Sequence, residues 1–273
     1  MSIYLGNIAI GNGNYLGNLN IRDSNIFVSQ SVVEPAVSGI QRLAVSSSLY
    51  AYYDVAFTAS YSGSAQTTIF DLSGNNKSGS VVGTMNYDTA GISGSVLRLG
   101  SSGTGNRVDM PQLTLAGGVT FTIAYYINSA SYGTTVTELF SGRDNDAYGI
   151  FAGNSTAISG AFTQEINDTD SFPIQYAPIN SAQSGSWHIS QFSFNDASNT
   201  INFCGDGVTG SYTLVATITT GTITPKFNYD NGSLPNRFLN SGSMMQVMAL
   251  YTGSLSTAEL LQNHNSLKAR YGL

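Results

Sequence analysis

The densest regular pattern in the chain lies near its end. From Met244 to Tyr251, Met245, Val247, Ala249 and Tyr251 alternate with Met244, Gln246, Met248 and Leu250, the two-residue period of a strand. Thr252-Gly253-Ser254 then leads into the one convincing helix signal. Ser256 is placed as the N-cap, and Glu259 three residues on completes a capping box. Leu255 and Leu260 stand where a hydrophobic staple needs them. Leu260, Leu261, Leu267 and Tyr271 recur at three-to-four spacing, Lys268 and Arg270 fall in the last turn where cations complement the dipole, and Gly272 can end the helix. The pattern predicts one short amphipathic helix laid as a lid on a β-sandwich.

Upstream the period is two wherever it is clear. Val119 to Ile127 alternates over its whole length, and Leu49-Tyr50-Ala51-Tyr52-Tyr53 is aromatic and strand-like. Trp187 to Phe194 and Thr200 to Gly205, joined through Asn195-Asp196, read as a hairpin. In Asp71-Leu72-Ser73-Gly74-Asn75, Asp71 can accept from the backbone two residues on and Gly74 can take positive φ. The same aspartate is also a candidate cation ligand. The first thirty residues hold an internal repeat: Tyr4-Leu5-Gly6-Asn7-Ile8-Ala9-Ile10 and Tyr15-Leu16-Gly17-Asn18-Leu19-Asn20-Ile21, each long enough for one short strand, with Gly11 to Asn14 as the turn. Two such strands are marginal alone, so they dock either on their own sandwich or, as an assembly arm carried by Tyr4, Leu5, Tyr15 and Leu16, on another chain. Pro35 and Gly39 interrupt residues 31–48. The expected organisation is an arm and linker over 1–48 and a main domain over 49–273.

The main-domain features, in order, resemble the concanavalin A-like, laminin-G-like jelly roll. An aromatic first strand precedes a D-x-S-G-N turn (Asp71, Ser73, Gly74, Asn75), then an L-x-x-G strand (Leu97 to Gly100) and an F-T-I strand (Phe121, Thr122, Ile123). G-x-W-H follows with its hairpin aspartate (Gly185, Trp187, His188, Asp196), and last an A-x-Y-x-x-x-L-S-x-x-E-L run (Ala249, Tyr251, Leu255, Ser256, Glu259, Leu260). The resemblance covers about residues 49–273 and departs from the family between Gly153 and Ser184, where an Asn/Asp/Pro-rich segment is long. It implies an all-β antiparallel jelly-roll sandwich. It also implies glycan binding, with calcium at the rim in several members. The YLG-type repeats resemble segments of phage tail and other virion proteins.

Composition narrows the function. Charged residues make up 10% of the chain, well below the roughly 25% of ordinary soluble domains. Polarity comes from Ser, Thr, Asn and Gly, a balance that recurs in surface and virion proteins. A net charge of −6 without a basic cluster argues against nucleic acid. Cys204 stands alone, which excludes an intrachain disulfide and reads as a small buried hydrophobe. There is no apolar run of about 18 residues to span a membrane. The start lacks a positive n-region and a long apolar run, so no signal peptide is expected.

Candidate chemistry is sparse. Retaining glycosidases of this fold class present two carboxyls about 5 Å apart from one strand, but Glu34, Glu138, Glu165 and Glu259 share no segment. His188 and His264 lie in different elements, without zinc spacing. Gly91-Ile92-Ser93-Gly94 only approaches a nucleophile elbow, and Gly103-Thr104-Gly105 is no P-loop. No enzyme is expected. Asp144, Asn145 and Asp146, or Asp168 and Asp170, could offer oxygens to Ca2+ without the regular spacing of a dedicated site, so solvated turns are the alternative. Glycan candidates pair loop aromatics with hydrogen bonders: Tyr148 and Tyr176 with Asn145 and Asp168, and beyond them Tyr132, Phe172 and Tyr229 with Asn167 and Asn231. The expectation is a non-enzymatic virion structural protein (capsid decoration, neck or tail fibre), assembled in the host cytoplasm. Its partners are other virion proteins and copies of itself, with host-surface glycans as a further contact. The alternative is a carbohydrate-binding module or lectin of a cell-surface protein, and a glycoside hydrolase with an unrecognised site is a third reading.

Overall fold

A computed structural model describes residues 4–5, 8–10, 14–16, 19–22, 25–27, 43–63, 65–100, 105–114, 117–128, 137–142, 149–155, 161–167, 174–177, 185–213, 221–228, 239 and 241–273. The chain divides into two compact units, Met1–Ile40 and Gln41–Leu273. The first holds β1 (Tyr4–Leu5), β2 (Ile8–Ile10), β3 (Asn14–Leu16), β4 (Leu19–Arg22) and β5 (Asn25–Phe27). Each expected seven-residue strand is thus two short ones. Their pairs, β1 with β4 and β2 with β3, keep one antiparallel register (Tyr4 opposite Asn20, Leu5 opposite Leu19, Ile8 opposite Leu16, Ala9 opposite Tyr15), and β5 adds to β4.

The second unit opens with β6 (Leu49–Asp54), β7 (Thr68–Ile69), β8 (Gly79–Val82), β9 (Met85–Gly91), β10 (Gly94–Leu99), β11 (Arg107–Asp109), β12 (Leu113–Thr114) and β13 (Val119–Tyr126). It continues through β14 (Thr137–Ser141), β15 (Gly149–Ser155), β16 (Ala161–Asn167), β17 (Ile174–Ala177), β18 (Trp187–Asn195), β19 (Thr200–Gly205) and β20 (Val208–Thr213). The last elements are β21 (Thr222–Ile223), β22 (Lys226–Phe227), β23 (Met244–Tyr251) and α1 (Thr257–Tyr271). Two eight-stranded antiparallel sheets result. One runs β20-β19-β18-β13-β23-β10-β9, with β6 sharing the edge of β23; the other runs β17-β16-β15-β14-β22-β11-β8-β7. Successive segments cross from one sheet to the other (β10 to β11, β13 to β14, β17 to β18, β22 to β23), as in a jelly roll. The architecture is the all-β sandwich with a C-terminal helix that the sequence pattern predicts.

Between the sheets, Phe121 stacks on Phe140 at 4.4 Å and on Phe192 at 5.5 Å, with Phe227 edge-on to Phe140. The helix is not a cover over the gap between the layers. It lies on the far side of the first sheet, where Leu260, Leu267 and Tyr271 pack on Ala124, Ile189, Val247, Ala249 and Tyr251 as a second apolar core. The second unit therefore has three layers, and the central strands of the first sheet, β13, β18 and β23, are buried on both faces. The boundary also moves. Residues 43–48, expected in the linker, are bound to the second unit: Val45 N–H donates to Asn263 Oδ1 at 2.8 Å, and Tyr251 Oη donates to the Val45 carbonyl at 3.0 Å.

Local signals explain most of the frame. The Ser256–Glu259 capping box forms on both sides, and Gly272 adopts φ 72° to return its N–H to the Lys268 carbonyl. Asp71 accepts from Tyr52 N–H, Ser73 N–H and Lys77 N–H, tying its turn to β6. Burial alone would raise that carboxyl, but these backbone N–H groups bring it below its ordinary range. The D-x-S-G-N segment is thus a structural clamp. Two sequence readings change. A bulge opposite Ala124 and Tyr125 makes Gln246 the extra residue, which puts Met245 in the inter-sheet core with Met248 rather than beside Val247. Arg270 is buried instead of facing solvent at the dipole end. Its guanidinium forms a two-pronged pair with Asp54 at 2.6 and 2.7 Å. Burial alone would favour losing the guanidinium proton, and Asp54 more than offsets that, so Arg270 stays charged.

Candidate functional site

In the helix-backed sheet β13, β18 and β23 are buried, while its edge strands β9 and β20 carry exposed positions. The second sheet has an apolar face packed on the first and, among the described residues, no helix on the other; we call it the open sheet. Its strand registers set which residues stand in line across it. Thr68, Ser80, Asp109, Lys226, Ser141, Phe151, Glu165 and Ile174 are successive partners across the whole sheet. Neighbouring positions in such a row are about 4.8 Å apart. One step along, Arg107 pairs with Val82, and Gly153, Thr163 and Tyr176 form a parallel row.

The alternation that puts Phe140, Val108 and Phe227 inside puts this set outside. Ser80 is exposed, Thr68, Arg107, Asp109 and Lys226 are half-buried, and Ser141 in the middle of the row is buried, so the accessible part of the face lies over β7, β8, β11 and β22. Arg107 Nε donates to Asp109 Oδ1 at 2.7 Å, so a cation and an anion stand side by side on the face. Glu138 pairs with Gly153, which pairs with Thr163, two residues from Glu165. The described side chains of this face, Thr68, Ser80, Arg107, Asp109 and Lys226, supply hydrogen-bond donors and acceptors, the kind of groups that orient a polar ligand.

Of the residues picked out from the sequence, Tyr176 is in β17, opposite Thr163. Asn145, Tyr148, Asp168, Asp144 and Asp146 lie outside the described residues, as do Tyr132, Phe172, Asp170, Tyr229 and Asn231. Gly149 and Asn167 are partners, so the strand ends adjoining 143–148 and 168–173 lie side by side. Tyr176 sits opposite Thr163, four positions along β16 from Asn167, about 13 Å from that end at 3.3 Å per residue. The strand ends adjoining 129–136 and 229–238 are at the opposite end of the sheet, since Phe227 pairs with Phe140. The sequence candidates are thus divided between two ends. Asp109, Lys226 and Glu165 join the set only through cross-strand register; alternation within Arg107-Val108-Asp109 and Thr163-Gln164-Glu165 was the signal available.

Several other polar groups that the sequence singles out are held within the fold. Arg98 binds Asp88. His188 Nδ1 lies 2.7 Å from Asp206 Oδ2, and Asp206 also accepts from Ile189 N–H. Asp206 and Gly207, both at positive φ, make the tight turn between β19 and β20. His264 packs over Gly207, where a Cβ would come within 3.1 Å of Nε2. Burial lowers its pKa, with Asp206 opposing and Lys268 adding to the effect. Burial pushes the Cys204 thiol up to about 11, so it behaves as a small apolar group. Gly91 and Gly94 are partners closing the β9–β10 hairpin, and Ser93 Oγ donates to the Arg270 carbonyl, so that serine stands on no nucleophile elbow. Among the described residues no group of three His, Cys, Asp or Glu is placed to hold a metal ion.

No protein-family model matches the chain, and no curated protein matches it. Solved structures do. The binding domain of botulinum neurotoxin serotype D/C superposes with a TM-score of 0.60 at 15% identity, over 81% of this chain and 53% of that one. A structure of botulinum neurotoxin type C, whose cell entry depends on two ganglioside molecules, gives 0.60 at 15%, over 82% and 52%. Domain 4 of AbnA, a GH43 extracellular arabinanase from Geobacillus stearothermophilus solved with arabinotriose, gives 0.57 at 16%, over 79% and 98%. The chain spans about half the length of the toxin domains it matches. At these identities the likeness is one of fold, an antiparallel β-sandwich.

Proposed function

We propose that the chain is a non-catalytic saccharide-binding module whose ligand lies along the outer face of the open sheet, and that its N-terminal unit assembles it into a virion surface structure. The observation that carries the first half is the inequality of the two sheets. One is closed on both faces along its central strands β13, β18 and β23, while the other turns Ser80, Asp109 and Lys226 away from the core. The arabinotriose-bound arabinanase domain and the ganglioside-dependent toxin, alike in fold, support a saccharide as the ligand class. The low charge, the Ser/Asn/Gly-rich surface composition and the YLGN repeat support the virion setting.

Against catalysis, Asp54, Asp71, Asp88, Asp109, Asp206 and Glu259 are each engaged by a partner within the fold. A glycan array probed with the full chain, with and without a calcium chelator, is the test. We expect binding to one saccharide class, weakened about tenfold (about 1.4 kcal/mol) by Tyr176→Ala. No binding to any saccharide, or binding indifferent to substitutions on the outer face, would overturn the reading. Sugar released from the bound saccharide and lost in Glu165→Gln would assign hydrolysis instead.

A further inference from the structure

Among the described side chains, Phe70 is the only aromatic one that is exposed, at 48%. It directly follows the edge strand β7, in which Ile69 is buried in the core between the sheets. Successive side chains of an extended segment point to opposite sides, so Phe70, like Thr68, is turned to the outer face of the open sheet. Its backbone is fixed on both sides. Phe70 N–H donates to the Ser60 carbonyl at 2.8 Å, and Ser60 Oγ donates to the Phe70 carbonyl at 2.8 Å. One residue on, Asp71 is clamped to β6 through Tyr52 N–H. The ring is therefore held out to solvent on backbone that is already ordered, which lowers the entropy cost of using it for contact.

The neighbours of the ring on this face are hydroxyls. Thr68 is two residues back, about 6.6 Å along the chain at 3.3 Å per residue, and Ser80 is the cross-strand partner of Thr68. Ser78 runs alongside, its Oγ accepting from Asp71 N–H at 3.4 Å. A docking surface for a protein is a contiguous apolar patch. Here the other exposed large apolar side chains among the described residues lie elsewhere: Ile92 at the β9–β10 hairpin, Val208 at the start of β20 and Leu273 after α1. One aromatic ring set among hydroxyls fits a smaller unit, with C–H groups on one side and hydroxyls around its rim.

We infer that Phe70 is a stacking platform for one residue of the saccharide, a pyranose ring that lays its C–H face on the phenyl ring while Thr68, Ser78 and Ser80 meet its hydroxyls. The inference deepens the saccharide half of the proposed function and rests on it. Phenylalanine offers neither charge nor hydrogen bond, so this contact is dispersive and insensitive to salt. The full chain and its Phe70→Ala and Phe70→Trp variants are to be compared on immobilised gluco-, galacto- and mannopyranose oligosaccharides, at low and high salt. The unmodified chain is expected to bind one of these at both salt levels. Phe70→Ala should weaken that binding about tenfold and Phe70→Trp should keep it, with unchanged melting curves because the side chain is exposed. Should Phe70→Ala melt early, Phe70→Leu makes the same comparison, keeping apolar volume without a flat ring. Undiminished binding in Phe70→Ala, or an equal loss in Phe70→Trp, would overturn the inference and leave the saccharide reading standing. Binding by the unmodified chain to none of the pyranosides would overturn the inference, and binding to no saccharide of any kind would overturn both.

Discussion

The two sheets of the sandwich have the same number of strands and opposite assignments. In the helix-backed sheet β13, β18 and β23 are buried along both faces, and polar groups there are used inside: Gln191 Nε2 donates to the Leu260 carbonyl, and the Thr120 hydroxyl is hydrogen-bonded with both Ser193 Oγ and the Gly253 carbonyl. In the open sheet, alternation splits β8, β11 and β22 into a core side and an outer side. Closing one sheet with a helix concentrates stability there and lets the other keep a surface whose residues are chosen by what they contact outside.

Substitutions should divide along the same line. The largest effect is expected at the clasp between the opening strand and the last turn of the helix. Arg270→Met strands the Asp54 carboxylate in the core and should cost about 3–5 kcal/mol in urea unfolding, whereas Asp54→Leu/Arg270→Met together should recover most of it. Leu260→Ala, which opens a hole between helix and sheet, should cost about 2–5 kcal/mol by the same measurement. Removing the helix cap with Ser256→Ala should cost about 1 kcal/mol.

The pH dependence has a definite sign. His264 is held neutral by burial, with its native pKa below 6.5, so the unfolded chain binds more protons. Stability should therefore decline as pH falls below about 6.5 toward the depressed native value, and melting curves of His264→Gln should show less of that decline. Smallest of all, Ser80→Lys on the open face should change stability by less than about 0.5 kcal/mol while altering saccharide binding. An equal stability loss at Ser80 and at Leu260 would erase the distinction between the sheets.

What could be read from the sequence was local. The Ser256–Glu259 box, the Gly272 stop, the Asp71 turn and the β13 alternation involve residues a few positions apart, and each stands as the pattern predicts. The misreadings arose from long-range pairing. Asp54 is 216 residues from Arg270, so nothing near Arg270 marks it as buried. The bulge at Gln246 is set by β13, and it reverses the phase of Met245 without a local sign. A signal for the helix layer did exist. Met244 to Tyr251 is apolar on both phases, as a strand covered on both faces must be. The candidate site was hidden for the same reason as the clasp: Ser80, Asp109, Glu165 and Lys226 are scattered between positions 80 and 226 and meet only through register.

Hydrogen exchange of the full chain with and without a bound saccharide tests the division of labour most directly. The account predicts added protection in peptides from β15–β17 and β22, and none in α1 or β23. Protection that appears in the helix or in β18 and β23, with the open sheet unchanged, would contradict it.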